Sequence, residues 1–193
     1  MAQLTGSKKI KTAVFISGTG SNLKSLILFS KLKKSPISIN LIISNNSKSK
    51  GLKLGNIFKI KKKIFDFENK NLTETKIISE LKKNKIDLIC LAGFMKILSK
   101  KFINNFKGNI INIHPSLLPK FKGLNTHERV IQNKERYSGC TVHFVNSKLD
   151  SGKIVIQKKV KINKNDTPKT LAKKILTQEH ILYPKAILKI FSL

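Results

Sequence analysis

The sequence predicts a doubly wound α/β fold with a mostly parallel sheet, antiparallel strands toward its C-terminal end and helices on both faces. From Lys11 onward, apolar strand-like runs alternate with helical patterns, as in parallel strands joined by right-handed crossovers. The run Ile86–Ala92 is almost continuously apolar, which is typical of a strand at the centre of a parallel sheet. After Gly108 two strands follow each other with no helix between them, which indicates antiparallel pairing.

The first half alternates strands and helices. The predicted strands are Ala13–Ser17, Ile37–Ser44, Lys63–Phe67 and Ile86–Ala92. The predicted helices run from the loop Gly18–Asn22 to about Leu32, near Lys48–Phe58, and over Asn71–Asn84, where apolar residues recur at helical spacing.

The second half contains three further strands and a last helix. The strands are Asn109–His114, Cys140–Val145 and Lys153–Val160. The last helix is predicted to start at Asp166 as its N-cap, with Pro168 in the first turn, and to run toward Tyr183, where it meets Pro184. A length of 193 residues suits a single domain, with residues 1–11 or so as a flexible N-terminal arm.

The formal charge of +29 raises the question of nucleic-acid binding. Arginine occurs only at Arg129 and Arg136, the lysines are spread along the whole chain, and tryptophan is absent. Nucleic-acid sites usually combine arginine forks with stacking aromatic side chains, so we expect no specific nucleic-acid partner. We interpret the lysines as solvated surface that reflects AT-rich codon use.

Other bulk features predict a cytoplasmic protein without membrane contact. Cys90 and Cys140 lie in apolar runs and are expected to be buried free thiols in a reducing compartment. The four histidines lack the spacing of metal ligands, so no metal is expected. The apolar runs are too short to span a bilayer, and no signal-peptide pattern is present.

A loop with two glycines follows the first strand and consists of Gly18, Thr19, Gly20, Ser21 and Asn22. Glycines let the backbone approach a ligand, and the N–H groups of the following helix bind an anion. The loop lacks the third glycine of a dinucleotide fingerprint and the lysine of a P-loop. A tight turn capped by Ser21 or Asn22 is therefore an equal alternative to a phosphate site.

The segment Asn112–Pro119 carries the stronger signal. Asn112 and His114 are two residues apart in a predicted strand and share a face, whereas the neighbouring isoleucines face the other way. A polar pair on an otherwise apolar strand is costly unless it has partners or a function. Pro115 ends the strand, which places the pair at the carboxyl edge of the sheet, where ligands bind in open α/β folds.

Two acidic residues complete the set of candidates. Asp150 precedes a Ser-Gly turn, where aspartate is commonly only a turn former. Glu179 falls within the apolar stripe of the last helix, and a carboxylate on a buried face either has a function or caps a neighbouring loop.

Taken in order, these motifs resemble the folate-dependent formyltransferase family, and within it the phosphoribosylglycinamide formyltransferases, from Val14 to about Pro184. The resemblance implies a Rossmann-like formyltransferase domain. Beside the glycine loop and Asn112–Pro119, the matching stretches are Leu91–Leu98, Gly123–His127, Gly139–His143, Leu149–Gly152 and Thr177–His180.

The resemblance implies transfer of the formyl group of 10-formyltetrahydrofolate to the amine of glycinamide ribonucleotide in purine biosynthesis, by a monomer or homodimer. It implies that Asn112, His114 and Asp150 are catalytic, with Asn112 and a protonated His114 stabilising the oxyanion. It places substrate binding at Gly18, Thr19, Gly20, Ser21, Asn22 and Glu179. It places the folate pocket at Phe94, Met95, Lys96, Ile97, Leu98, Val145, Asn146 and Leu149.

The sequence departs from the family pattern in the region that holds substrate phosphate. The family often has an arginine near the start of the third helix, and Asn71–Glu74 contains none. Lys70 or Lys76 is a candidate replacement. Asn125 stands where the family often has histidine, and Lys96 where it often has arginine.

Three alternatives remain open. A formyltetrahydrofolate hydrolase usually carries an N-terminal regulatory domain, and methionyl-tRNA formyltransferase a C-terminal tRNA domain; the sequence favours neither. The third alternative is a binding protein and not an enzyme: a basic RNA-binding module with an inactive formyltransferase fold. Such a module should bind RNA at physiological salt, so RNA binding titrated against salt distinguishes it.

Overall fold

Seven strands form one sheet in the computed structural model, which describes residues 9–191. Its order is β3-β2-β1-β4-β5-β6-β7. The strands from β3 to β5 pair in parallel, whereas β6 pairs antiparallel with both β5 and β7, which confirms the predicted fold class. The strands are β1 Ile10–Ile16, β2 Ile37–Ser44, β3 Lys61–Ile64, β4 Leu88–Leu91, β5 Asn109–His114, β6 Tyr137–Phe144 and β7 Ile154–Lys161.

Helices cover both faces of the sheet because each central strand is apolar on both sides. In β1, Val14 and Ile16 pack against one layer, while Ala13 and Phe15 pack against the other. The first layer contains α1 and α6, and the second contains α3 and α4. The helices are α1 Ser21–Ser30, α2 Lys53–Ile57, α3 Lys70–Lys83, α4 Lys100–Asn105, α5 Thr126–Gln132 and α6 Pro168–Phe191, with a 3₁₀ turn at Lys50–Leu52 before α2.

The N-terminal boundary differs from the prediction. Strand β1 begins at Ile10, so Ile10 and Lys11 belong to the sheet and not to an arm. The reason is that Ile10 and Lys11 continue the parallel pairing of β1 with Ile37 and Ser38 of β2. Residues 1–8 of the predicted arm lie outside the described residues.

Helix α6 differs from the prediction at both ends. Thr167, not Asp166, is the N-cap: its hydroxyl accepts the N–H of Thr170 at 3.2 Å, and the Thr170 hydroxyl accepts the N–H of Thr167 at 2.9 Å. Pro184 does not end the helix, which continues to Phe191. Its missing N–H would leave the carbonyl of His180 without a partner, but the Ser25 hydroxyl donates to that oxygen at 2.8 Å.

The two cysteines are buried, as predicted, and neither forms a disulfide. Burial raises the pKa of the Cys140 thiol to about 12, and burial likewise raises the pKa of Cys90. Both therefore remain protonated thiols near neutral pH. Within residues 9–191, no helix is both long and apolar enough to cross a membrane.

Candidate active site

The carboxyl ends of β1, β4 and β5 open onto a cavity of about 990 Å³. It extends from the glycine loop after β1 to the segments that follow β4 and β6. Every site residue predicted from the sequence lines this cavity: Gly18, Thr19, Gly20, Ser21, Asn22, Phe94, Met95, Lys96, Ile97, Leu98, Asn112, His114, Val145, Asn146, Leu149, Asp150 and Glu179.

Asn112, His114 and Asp150 converge on the floor of the cavity. Asp150 Oδ1 lies 3.5 Å from Asn112 Nδ2, and Asp150 Oδ2 lies 3.4 Å from His114 Nδ1. Asn112 and His114 lie at the carboxyl end of β5 on the face predicted for them, whereas Ile111 and Ile113 are buried in the hydrophobic core. The three side chains therefore share one cleft although they are far apart in sequence.

His143 belongs to the same cluster and was not among the predicted site residues. It pairs directly with Asn112 across the antiparallel β5–β6 ladder, so the two side chains share a face. Its Nδ1 lies 2.8 Å from the carbonyl of Phe144, and its Nε2 lies 3.2 Å from Asn112 Nδ2. If Nδ1 carries the proton, Nε2 accepts from the Asn112 amide and fixes its orientation.

Asp150 is buried but retains its charge. It adopts a left-handed backbone conformation with φ of 45°, and Oδ2 accepts the N–H of Gly123 at 2.9 Å. Burial opposes the charged form, but the contact with His143 and the N–H of Gly123 outweigh it and hold the pKa of Asp150 below its usual range. Asp150 is therefore a carboxylate at neutral pH.

His114 is neutral in the free protein at pH 7. Burial lowers its pKa, and the carbonyl of Phe121 and the charge of Asp150 offset this effect only in part. Nε2 lies 2.9 Å from the Phe121 carbonyl and therefore carries a proton. In the neutral ring Nδ1 is then an unprotonated nitrogen that faces a carboxylate, which makes it the natural place to receive a proton.

The glycine loop is shaped by a close approach of two backbone segments. Gly20 has φ of 77°, and a Cβ at that position would lie 2.6 Å from the Cα of Gly51. Gly20 is also the N-cap of α1, and among residues 9–191 no side chain makes a capping hydrogen bond to this helix. The prediction that Ser21 or Asn22 caps the turn is therefore wrong. In the described part of the chain, no side chain competes for the N–H groups of the first turn of α1, so they are available to an anion.

Glu179 reaches the same loop from α6. Its Oε2 accepts a hydrogen bond from Asn22 Nδ2 at 2.7 Å, and it is only 5% exposed. Burial raises the pKa of Glu179 to about 7, although the Asn22 bond lowers it in part. Asn22 Oδ1 is buried and has no hydrogen-bond partner within residues 9–191, so the pair still has an acceptor to offer a ligand.

The opposite end of the cavity is apolar. Leu124 is 71% exposed, and Met95, Ile97 and Leu149 are at least half exposed, so this rim presents hydrophobic surface to solvent. Phe94 anchors the rim through edge contacts with Phe15 and Phe67 at ring-centroid distances of 5.3 and 5.7 Å. The cavity thus joins an end with uncapped helix N–H groups to an apolar end, with the polar cluster between them.

The family model described as formyl transferase matches residues 10–187. The chain belongs to the formyl transferase family. It is 41% identical over 180 residues to a phosphoribosylglycinamide formyltransferase of Haemophilus influenzae, covering 92% of this chain and 85% of the relative. A solved phosphoribosylglycinamide formyltransferase of Brucella melitensis superposes with a TM-score of 0.89 at 40% identity, covering 95% of this chain and 96% of the other.

Formyl transferase sequence also occurs within longer relatives. The human trifunctional purine biosynthetic protein adenosine-3 is 39% identical over 183 residues, which cover 93% of this chain. The chain spans only 18% of the length of that relative.

Two lysines line the cavity, and neither is a candidate replacement for the family's arginine. Neither Lys70 nor Lys76, the candidates for replacing the family's arginine, lines it. Lys96 and Lys169 do, and Lys169 comes from the first turn of α6. Lys169 was not predicted, because the face of α6 that it shares with Glu179 is identified only when the helix is placed against the sheet.

Two further features of the site are its potential metal ligands and His127, which belongs to α5. Among residues 9–191, no group of three His, Cys, Asp or Glu side chains could hold a metal ion. His127 lines the cavity, and burial lowers its pKa. Its Nδ1 is buried without a hydrogen-bond partner among the residues described.

Proposed function

We propose that this chain transfers the formyl group of 10-formyltetrahydrofolate to the amine of glycinamide ribonucleotide, giving formylglycinamide ribonucleotide and tetrahydrofolate in purine biosynthesis. The observation that carries the proposal is the convergence of Asn112, His114 and Asp150 between an anion-binding loop and an apolar rim. The names of the relatives support the choice of substrates.

In the proposed reaction, the amine attacks the formyl carbon, a C–N bond forms, and the formyl oxygen becomes an oxyanion. Asn112 Nδ2 donates to His143 at 3.2 Å but only weakly to Asp150 at 3.5 Å. The hydrogen that faces Asp150 is therefore available to the oxyanion. Here the pairing with His143 orients the amide before substrate arrives.

The proton of the attacking amine passes to the pair formed by His114 and Asp150. Nδ1 receives it 3.4 Å from the Asp150 carboxylate, which stabilises the resulting imidazolium. The pair then returns the proton to the departing folate nitrogen as the C–N bond to the folate breaks. This differs from the expected protonated His114: burial keeps the ring neutral at first, so the charge arises during the reaction.

The substrates occupy opposite ends of the cavity in this proposal. The nucleotide phosphate binds at Gly18, Thr19, Gly20, Ser21 and Asn22, and Glu179 with Asn22 contacts the nucleotide beside the phosphate. The folate ring lies against Phe94, Met95, Lys96, Ile97 and Leu98 and beside Val145, Asn146 and Leu149. No metal takes part in any step.

We further propose a cytoplasmic monomer or homodimer, formed by a single domain, with no specific nucleic-acid partner. The two buried free thiols support a reducing compartment. Arginine at only two positions supports the absence of a nucleic-acid site.

A spectroscopic assay of tetrahydrofolate release tests the function. Release is expected only when 10-formyltetrahydrofolate and glycinamide ribonucleotide are both present. Release without the nucleotide would identify a hydrolase instead, because water would then be the acceptor. No release under either condition would reject the proposal.

A further inference from the structure

Ser17 lies where the end of β1 meets the segment that follows β4. Its N–H donates to the carbonyl of Gly93 at 3.0 Å, and its hydroxyl oxygen accepts the N–H of Met95 at 2.8 Å. One residue thus holds the main chain at the start of residues 93–98, called here the folate segment. At the other end of that segment, the buried carboxylate of Glu74 accepts the N–H of Ser99 at 2.8 Å and also the Ser99 hydroxyl.

The hydroxyl of Ser17 has a fixed orientation. Its proton goes to Asn45 Oδ1 at 2.5 Å, which leaves an oxygen lone pair for Met95. Asn46 Nδ2 also donates to the Ser17 carbonyl at 3.3 Å. The loop after β2 therefore sets the direction in which Ser17 holds the folate segment.

The next residue, Gly18, begins the glycine loop. Its carbonyl accepts the hydroxyl of Ser49 at 2.6 Å and the N–H of Gly51 at 3.1 Å. Ser17 and Gly18 are consecutive, so their hydrogen bonds join the glycine loop, the loop after β2 and the folate segment into one connected unit.

Within the folate segment, Phe94 and Leu98 pack against the core, whereas the residues between them depend on the main-chain anchors because their side chains are exposed. Met95 is 62% exposed and Ile97 is 60% exposed. Ordering such a segment costs conformational entropy when a ligand binds. A ligand that restrains the glycine loop also restrains Ser17, and through Ser17 it lowers the ordering cost for a second ligand at the folate segment.

We propose that Ser17 is a positioning residue that couples the two substrate sites, so that nucleotide at the glycine loop tightens folate binding at residues 93–98. The identity of the two ligands rests on the proposed function. Coupling between binding sites is reciprocal, so folate must tighten nucleotide binding by the same factor.

Binding titrations of the full chain with glycinamide ribonucleotide and tetrahydrofolate test the proposal. This pair cannot react because no formyl group is present. In the wild type, saturating nucleotide is expected to tighten tetrahydrofolate binding about fivefold or more, as is usual for coupled sites. Ser17→Ala is expected to bring that factor close to one, and Ser17→Thr, which keeps a hydroxyl, to restore it.

Ser35→Ala is the matched control. Ser35 is buried before β2, does not line the cavity, and its hydroxyl oxygen accepts the N–H of Ile37 at 3.4 Å. The control is expected to lower stability while leaving the coupling factor unchanged. Asn45→Ala removes the acceptor that orients the Ser17 hydroxyl and is expected to lower the factor in part.

Distinct results overturn the proposal. A factor of one in the wild type, an undiminished factor in Ser17→Ala, or an equal loss in Ser35→Ala each rejects coupling through Ser17. If the wild type binds both ligands and catalyses formyl transfer, but its coupling factor is one, only this inference fails. If it binds neither ligand, the proposed function is rejected together with the inference.

Discussion

Asp150 combines a left-handed backbone conformation with a side chain that stays ionised although it is buried. Its left-handed φ of 45° is a conformation that aspartate and asparagine both tolerate better than most residues. The side chain contacts His114, His143 and the N–H of Gly123 at once. An amide of the same shape can take its place without moving the backbone, so the role of the charge can be isolated.

Asp150→Asn is expected to lower kcat by roughly 10²- to 10³-fold, comparable to the loss of one oxyanion donor at about 2.7–4 kcal/mol. The physical reason is that a neutral amide does not stabilise the imidazolium of His114. Steady-state kinetics measures the effect, and calorimetry checks that nucleotide affinity is retained. Asp166→Asn, which changes an aspartate paired with Lys174 away from the cavity, is the control. Near-normal turnover of Asp150→Asn would refute its role.

Glu179 links the site to the pH dependence of stability. Burial raises its pKa from 4.5 to about 7, so the folded protein holds the proton more tightly than the unfolded chain. This contribution to stability is fully present below the unfolded pKa of 4.5 and is lost as the pH rises through about 7. A buried carboxylate then remains and destabilises the free protein.

Glu179→Gln removes the titration and is expected to raise the free energy of unfolding at pH 8, relative to wild type, by a few kcal/mol at most. The difference should shrink toward pH 4.5, where the wild-type carboxyl is also neutral. Urea unfolding at both pH values measures it. Glu68→Gln, at an exposed position, is the control and should show no such trend. A difference independent of pH would contradict the assignment.

At the scale of the elements, α6 joins the site to the core. Tyr183 is fully buried, and its hydroxyl lies 3.0 Å from two backbone carbonyls. One belongs to Leu91, the last residue of β4, and the other to Ile111, within β5. The next residue is Pro184, and the helix continues because α1 supplies the missing donor through Ser25. Glu179 is therefore held in place by contacts of the next residue, His180, and of Tyr183, about one turn further along the helix.

A double-mutant cycle tests the relation between Ser25 and Pro184. Ser25→Ala alone is expected to cost about 1 kcal/mol, because it leaves the His180 carbonyl without a partner. In a Pro184→Ala background the cost should fall, since a backbone N–H at position 184 can bond to that carbonyl. Urea unfolding of the four proteins gives the coupling energy. Equal costs in both backgrounds would show that the Ser25 bond does not compensate for the proline.

Elements with a long apolar pattern were predictable, and elements set by distant contacts were not. The bounds of Ile37–Ser44 and Asn109–His114 match β2 and β5, because both strands are rich in isoleucine and lie between clear breaks. Helices α4 and α5, of 6 and 7 residues, are too short to establish a periodicity. The extension beyond Pro184 depends on Ser25, which lies far away in sequence.

The same reasoning applies to the site. Asn112 and His114 could be placed because strand alternation and Pro115 fix their face and their edge. His143 could not, because its contact with Asn112 depends on the register of β5 against β6. Its signals in the sequence are that it is a polar residue directly after the apolar run that contains Cys140 and Val142, and that it ends the matching stretch Gly139–His143.

At the scale of the whole molecule, charge is the dominant property. The chain has 39 basic and 10 acidic residues, and three of the acidic ones, Glu74, Asp150 and Glu179, are buried. Both edge strands carry lysines: Lys61, Lys62 and Lys63 are exposed in β3, and β7 ends in a lysine-rich stretch. Lysines on sheet edges oppose pairing with another sheet edge, and the net charge opposes compaction.

Salt is expected to act on stability and on catalysis in opposite directions. Raising NaCl from about 10 mM to about 100 mM shortens the Debye length from about 30 Å to about 10 Å, which screens the self-repulsion. The melting temperature should therefore rise, while kcat/KM for the anionic nucleotide should fall as steering weakens. Thermal melts and initial rates at the same salt concentrations measure the two trends.

RNA binding measured in the same salt series serves as the control. Diffuse charge should bind RNA at low salt and release it near physiological salt. Retention of RNA at physiological salt would favour a basic binding module. A melting temperature that falls with added NaCl would contradict the interpretation of the lysines as mutually repelling surface.

The direct pairing of Asn112 with His143 makes catalysis a reporter of folding. Successive residues of a strand face opposite sides of the sheet, so displacement of β6 by one residue would turn His143 away from the cavity. A compact but misaligned sheet would then keep its secondary structure and still be inactive. Turnover regained after dilution from denaturant should thus report only the molecules with the native β5–β6 register. Far-ultraviolet circular dichroism would report molecules with the native register and molecules with the shifted register alike.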